Sequence, residues 1–435
     1  MKGDDVPGPL HGIKVFEVSQ IVAGPFCGQN LADLGADVIK VEPPAGEGMR
    51  VLGGFMPGES KGFHSLNRGK RSLTIDLQNP AGQALVHRLI PSFDVFIINA
   101  RPGVPERLKV DYATLTQYRP DLIYMENTGY GRQGPSALRS GSDVVMQAYS
   151  GLMAGDRKVD EFGAPDQVTA TAAADYMAGA AATMGVCAAL FHRQRTGEGQ
   201  YVSSSLLAAG LAMQGTAAGK LPVFDAQVTD PMLKRLRAVR ERQGTYQEML
   251  EAKGDLLKMM GAAMRLYYSG YQVKDGAIIL GALTPLNRDQ MRRALGVEDD
   301  PTAAPDFNVF APEAQTVADQ MHERIRNIML SKTMDEWLEA FDRVGAPVSK
   351  VNFPEEMADD PQVLAMGYML ELEHPLTGPE RMPGPVVAMD RTPTGTATSS
   401  PPLAWHSVEV LRENGLTDTE IEQAIQSGAV TQADR

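Results

Sequence analysis

The chain has 435 residues, 43% of them apolar, which is enough for a large core and, at roughly 100–200 residues per domain, for two or three domains. A net charge of −13 argues against a general nucleic-acid binder, although local charge can still serve a small anionic ligand. The two cysteines, Cys27 and Cys187, form no CxxC, so neither zinc nor a disulfide framework is expected and a reducing cytoplasm fits. Met1–Leu10 is acidic and rich in Pro and Gly, unlike a signal peptide. No apolar run approaches the ~20 residues of a membrane span, and the histidines show no ligand spacing, so neither a membrane segment nor a metal is expected.

In chain order, Ile13–Val18 reads as a strand, Pro25–Leu34 as a helix and Ala36–Val41 as a second strand ending at Pro43-Pro44. Ser72–Leu77 is a third strand, followed by a helix over Pro80–Leu89; Val95–Asn99 and Leu122–Glu126 are the fourth and fifth. Strands alternating with helices predict an α/β fold, a Rossmann-like, mainly parallel sheet covered on both faces. Ligands of such sheets sit beyond the carboxyl ends of the strands. This directs attention to Ser19–Pro25, Pro43–Arg50, Asn99–Arg107 and Asn127–Arg139. No GxGxxG and no GxxxxGK[ST] follows a strand, so a dinucleotide or P-loop site lacks its phosphate cradle. Gly24 and Gly28 form a lone GxxxG that reads as close helix packing.

Asp175–Arg195 is the clearest helix, with Met177, Met184 and Phe191 at helical spacing and read as core. An acid at its start and His192, Arg193 and Arg195 at its end, before Gly197, complement the helix dipole. Pro222–Gly254 is charged and reads as a connector. Lys274-Asp-Gly276 is a turn within Tyr271–Leu280, leading into a strand. Ala314–Leu330 and Met334–Arg343 read as helices, Pro383–Pro402 as an extended arm, and Ser407–Asn414 and Asp418–Gln426 as closing helices.

Two features carry charge worth weighing. Asp175 is either the N-terminal cap of its helix or a carboxylate nucleophile stabilised there. The run Lys61–Arg71 holds Lys61, Arg68, Lys70 and Arg71 with His64 and no acid, as a solvated loop or an anion-facing one.

The run Thr171-Ala-Ala-Ala-Asp175-Tyr-Met-Ala-Gly179, with Ala188-Ala-Leu-Phe-His-Arg-Gln-Arg-Thr-Gly-Glu-Gly-Gln200, resembles the class III CoA-transferases, which include formyl-CoA transferase and the carnitine CoA-transferases. Leu10–Val18, Ala23-Gly-Pro25, Leu31–Glu42, Asn67–Ser72, Arg101-Pro-Gly103, Gly129-Tyr-Gly131, Lys274-Asp-Gly276, Gly345-Ala-Pro347 and Pro401-Pro402 are similar to the same family, so the resemblance spans nearly the whole chain.

The resemblance implies an enzyme that moves CoA between carboxylic acids, with Asp175 as nucleophile and CoA esters as substrates rather than a bound prosthetic group. Asn99 and Arg107 match CoA-contacting positions of the family and Arg139 lies near a basic one; Lys70, Arg71 and Arg101 join them as phosphate-facing cations. Backbone N–H groups near Gly24 or in the second unit would serve the oxyanions. The implied architecture is a large domain of residues 1–219 and 341–435, a smaller α+β domain inserted at 220–340, and an interlocked homodimer with the active site between domains.

Three departures shape the expectation. Val22 stands where formyl-CoA transferases carry Gln, which argues against oxalate or formate; Val22, Ser142 and Tyr149 are placed at the acyl pocket. The glycine-rich loop of those enzymes has no clear counterpart near Gly254–Gly261. The related α-methylacyl-CoA racemases pair their Asp with a His in Gly-His-Asp, and here the stretch is Gly141-Ser142-Asp143, which favours a transferase over a racemase. A non-catalytic acyl-CoA-binding protein is the other alternative.

Overall fold

Short runs of buried apolar residues, rather than alternating ones, build a central parallel sheet, because both of its faces are covered. In the computed structural model, which describes residues 6–169, 171–254, 262–308, 311 and 313–433, its strands are β1 (Lys14–Val18), β2 (Asp37–Glu42), β5 (Lys70–Thr74), β6 (Val95–Ile98), β7 (Ile123–Thr128) and β8 (Tyr201–Ser205). A short hairpin, β3 (Gly54–Met56) and β4 (Glu59–Ser60), stands apart from it. The sheet order is β5-β2-β1-β6-β7-β8, with every neighbour parallel. Phe16 pairs with Ile39 on one side and Phe96 on the other, and Phe96 with Tyr124. The polar strand Tyr-Val-Ser-Ser-Ser of β8 is an addition to the five strands read from sequence; as an edge strand it needs no apolar run.

One face packs under α3 (Pro80–Leu89) and the closing helices α9 (Ser407–Glu413) and α10 (Asp418–Gln426), through Leu85, Leu89, Val410, Leu411 and Ile421. The other packs under α1 (Ala23–Asp33) and α5 (Ala173–Thr196), through Cys27, Leu31, Ala182, Val186 and Leu190. From β1 the chain winds one way to β2 and β5, and the other way to β6, β7 and β8. The sheet therefore has a topological switch point between β1 and β6, where such folds place ligands.

Helix α5 corrects two expectations. Its core positions are the small ones, Ala174, Ala178, Ala182 and Ala189 with Val186, whereas Met184 is 70% and Phe191 61% exposed and Met177 is also exposed. Small residues let α1 approach closely: a Cβ on Gly179 would come within 2.6 Å of the Ala23 carbonyl oxygen. The helix also runs 24 residues and is long and apolar enough, by length and composition, to cross a membrane; here it lies along the sheet. Gly24 and Gly28, by contrast, clear the sheet side rather than a helix, since a Cβ would meet Ser19 at one and Glu17 at the other.

The chain divides into two units, one comprising everything up to Lys220 together with Ala358 onward, the other Leu221–Met357. The return boundary falls later than residue 341 because β11 (Val348–Lys350) pairs with β10 (Gly276–Leu280), itself paired with β9 (Gly270–Val273), in a three-stranded antiparallel sheet of the smaller unit. Helices α6 (Pro285–Leu295), α7 (Ala314–Met329) and α8 (Met334–Asp342) pack on it around Trp337, Phe341 and Ile325. The charged Pro222–Gly254 stretch is largely helical, over Thr229–Glu241 and Tyr246–Lys253, the second started by a Thr245–Glu248 capping box. The expectation about a glycine-rich loop concerns residues 255–261, which lie outside the described ones, as do residues 1–5.

After the hairpin β12 (Met369–His374) and β13 (Gly378–Pro383), the arm over 384–402 packs within the larger unit, of which it is part. The Gly395 N–H donates to the Asp33 carbonyl and Arg50 to that of Pro401.

Candidate active site

The loop that leaves β1 at the switch point is gripped along its length. The Gln20 N–H donates to Asn99 Oδ1 at 2.9 Å, and Asn99 Nδ2 donates to the Gln20 carbonyl at 2.7 Å. Lys40 Nζ donates to the Ser19 carbonyl at 2.9 Å. The loop opens directly into α1, so Gln20–Ala23, Asn99–Arg101 after β6 and Asn127–Gly129 at the end of β7 wall a cleft of about 480 Å³. Its other wall is Gly141–Val144 with the start of α5, and every described residue lining it belongs to the larger unit.

Asp175 lies in this cleft, 9% exposed, in the first turn of α5. It is not the cap of its helix. That role falls to Asp143, at the start of α4 (Asp143–Tyr149), whose Oδ1 accepts the N–H groups of Ala174 at 2.8 Å and Asp175 at 3.0 Å. Gln147 donates to the other Asp143 oxygen and accepts the Val168 N–H at 3.0 Å. The Asp175 carboxylate is left free to face the cleft, and among the described residues no donor is bonded to it. Burial first, and the Asp143 carboxylate second, push its pKa from 3.8 up to about 7. A poorly solvated carboxylate that is partly ionised at neutral pH is suited to nucleophilic or proton-transfer chemistry.

The residues placed at a CoA site from sequence separate into two groups. Asn99 and Arg101 line the cleft; Arg101 is exposed and donates to Ser140 Oγ at 2.9 Å, while the Asn99 amide is occupied by Gln20. Arg107 is exposed and lines a neighbouring cavity of about 640 Å³ beyond the ends of β1 and β2, with Gln20 lining both cavities. Arg139 is exposed and lines neither. Lys70 and Arg71 are corrections. Lys70 is 2% exposed, and its ammonium donates to Glu17 at 2.8 Å, Asn67 Oδ1 at 2.8 Å and the Pro25 carbonyl at 2.8 Å. Arg71 ties β2 to α9 by pairing with Asp37 at 2.6 Å and Glu413 at 2.7 Å. Arg68 is likewise buried against Asp33. The acids that pair with Arg68, Lys70 and Arg71 come from outside the run, from Asp33, Glu17 and Asp37.

Val22 and Ser142 line the cleft as expected for an acyl pocket; Tyr149 does not, standing 51% exposed against Tyr130.

Away from the cleft, Glu59, His64 and His374 bring ligand-type atoms within 4.8 Å of one another, a grouping invisible in the sequence spacing. Its hydrogen bonding is that of a proton network. His64 bridges Glu59 at 2.8 Å and Glu380 at 2.7 Å. His374 Nδ1 accepts the N–H groups of Leu376 and Thr377, so its ring proton resides on Nε2, the nitrogen that would face an ion.

Residues 10–407 match the family model described as CoA-transferase family III, and the chain belongs to that family. It is accordingly an enzyme of the class III CoA-transferase type. It is 30% identical over 435 residues to succinyl-CoA:glutarate CoA-transferase of Homo sapiens, covering 98% of this chain and 90% of that protein. It is also 30% identical to alpha-methylacyl-CoA racemase of Mus musculus, with 98% of each covered. Among solved structures, a CAIB/BAIF family protein from Brucella suis superposes with a TM-score of 0.71 at 27% identity, over 94% of this chain and 100% of that one.

Proposed function

We propose that the enzyme transfers CoA from a dicarboxylic acyl-CoA, of the succinyl-CoA kind, to a second carboxylic acid by covalent catalysis at Asp175. The observation that carries this reading is the Asp175 carboxylate itself: buried in the cleft, free of hydrogen-bond donors among the described residues, and pushed up to about 7. Desolvation raises the energy of the ionised carboxylate, and attack on a thioester carbonyl relieves it.

In the proposed cycle an Asp175 oxygen attacks the acyl carbonyl of the donor, and the C–S bond breaks to give a mixed anhydride and CoA thiolate. The thiolate attacks the Asp175 carbonyl, the donor acid leaves as carboxylate, and an aspartyl-CoA thioester remains. The acceptor carboxylate attacks that thioester, releasing the thiolate and forming a second anhydride. The thiolate then takes the acceptor acyl group and returns Asp175 free. Arg101 and Arg107, exposed in the two cavities that share Gln20, are the cations proposed to meet the charges of the CoA ester. The succinyl preference comes from the relatives' substrates. A homodimer and a cytoplasmic setting are further parts of the proposal, the first checked by light scattering and the second by fractionation.

The test is hydroxylamine trapping during turnover with succinyl-CoA and glutarate, read by peptide mass spectrometry. A hydroxamate on Asp175, absent from D175N, supports the mechanism; full transfer activity in D175N refutes it. A second reading is racemisation, favoured by the likeness to a racemase and by the titration of Asp175 near neutrality. It predicts α-deuterium uptake from heavy water by a 2-methylacyl-CoA without new CoA esters.

A further inference from the structure

Ile21 stands in the left-handed region, at φ 69°. For a β-branched residue this conformation is strained and persists only where its surroundings over-determine it. Glu47 Oε2 accepts the Ile21 N–H at 2.6 Å, and Glu47 Oε1 accepts from Lys40 Nζ at 2.7 Å. The Glu47 side chain is buried, and its own N–H is held by Glu42 at 3.1 Å. Together with the grip of Asn99 on Gln20 and of Lys40 on Ser19, this leaves the loop no freedom to relax.

The constraint reaches the cleft. Ile21 and Val22 both line it together with Asp175. The Val22 carbonyl accepts the Phe26 N–H at 2.7 Å and so opens α1, and the Ala23 carbonyl then lies against Gly179, one turn beyond Asp175 on α5. The sign of φ at residue 21 decides where its side chain points and how the peptide planes on either side of it are turned.

We propose that Glu47 is a positioning residue for CoA transfer: its carboxylate holds Ile21 in the left-handed conformation and thereby sets the cleft wall opposite Asp175. The assignment rests on Asp175 being the nucleophile. Both groups that face the Glu47 oxygens, the Ile21 N–H and the Lys40 ammonium, are donors, so two acceptor atoms are required. Glutamine supplies only one. Aspartate keeps the charge for Lys40 but is one methylene short of serving both.

The experiment compares the full chain as wild type, E47D and E47Q, each with Ile21 and with I21G. Glycine adopts positive φ without steric cost and needs no carboxylate to hold it there. The expected result is a fall in kcat of about tenfold or more in both Glu47 variants, equivalent to about 1.4 kcal/mol of lost positioning, with the KM of the acyl-CoA donor within about threefold. Measured against I21G alone, E47D is expected to cost little further kcat, so most of its effect is lost in the I21G background. I21P is an independent arm, because proline has neither the N–H nor access to positive φ and leaves the Glu47–Lys40 pair untouched. It is expected to lose kcat as E47D does.

Wild-type kcat in a folded E47D or in I21P overturns the proposal. So does a kcat loss in E47D that stays as large in the I21G background, which would mark Glu47 as merely structural. Trapping on wild-type Asp175 runs alongside. Absence of that adduct overturns this inference together with the mechanism, whereas its presence with unchanged variant rates overturns the inference alone.

Discussion

Asp143 Oδ1 accepts the backbone N–H of Asp175 at 3.0 Å, so the carboxylate that caps α5 is the one that, after burial, holds Asp175 up in pKa. These two effects separate by substitution. D143N keeps an acceptor oxygen for the cap and removes the charge, so the acidic limb of the kcat/KM profile should move to lower pH. D143A also loses the cap and should cost a further ~1–2 kcal/mol of stability. A pH–rate series with chemical denaturation on both variants checks this; an unmoved acidic limb in D143N would show that Asp143 does not act on Asp175 electrostatically.

Asp175 itself should oppose folding at neutral pH. Its folded pKa of about 7 lies above its ordinary 3.8, so between these values the folded state holds a proton the unfolded state has lost. Stability therefore falls as pH rises from about 4 to 7 and the penalty is complete above that, amounting to on the order of 2–4 kcal/mol. D175N should match wild type in thermal melts near pH 4 and exceed it increasingly up to pH 8. Parallel melting curves across that range would contradict the buried, unpaired state of the carboxylate.

The His64 network should give way at the alkaline end. Burial alone would lower the His64 pKa, but Glu380 and Glu59 outweigh it and carry it from 6.5 to about 9. A raised value means that its contribution, on the order of 2 kcal/mol, is fully present below about pH 6.5 and is lost as pH rises through 9. Because it joins the β12–β13 hairpin to α2 (Lys61–Asn67), protection of the hairpin amides in hydrogen exchange should fall between pH 7 and 10 in wild type and be low throughout in H64Q.

The cations near the sheet should divide by role. R71A breaks pairs with Asp37 and Glu413 and should lower stability by about 1 kcal/mol without changing the KM for a CoA ester. R101A and R107A, exposed in the cavities, should raise that KM several-fold and leave the melting temperature within a degree or two. The reverse pattern would place the CoA ester elsewhere.

G179A should damage both fold and site. Its Cβ would meet the Ala23 carbonyl at 2.6 Å and Phe26 at 3.1 Å, so α1 and α5 must separate at a cost of about 1–3 kcal/mol. Transfer should fall more than stability alone explains, since both helices wall the cleft; activity at full folding and wild-type level would contradict this coupling.

What the sequence determined by itself is local. Short apolar runs and helical periodicity are decided by neighbours in the chain, and α3 and α10 lie over Pro80–Leu89 and Asp418–Gln426, the ranges read from sequence. The Asp175 run and its glycine-marked end carried the family resemblance for the same reason. Tertiary structure decided partnership and direction. The same residues that read as free cations, Arg68, Lys70 and Arg71, are spent on Asp33, Glu17 and Asp37, acids that become neighbours only when the sheet closes. The cap of α5 comes from 32 residues away, and large apolar side chains at Met184 and Phe191 face outward because α1 needs the small ones. Charge pairing and close packing act over a few ångströms in space, and sequence spacing records that distance only within a turn or a strand.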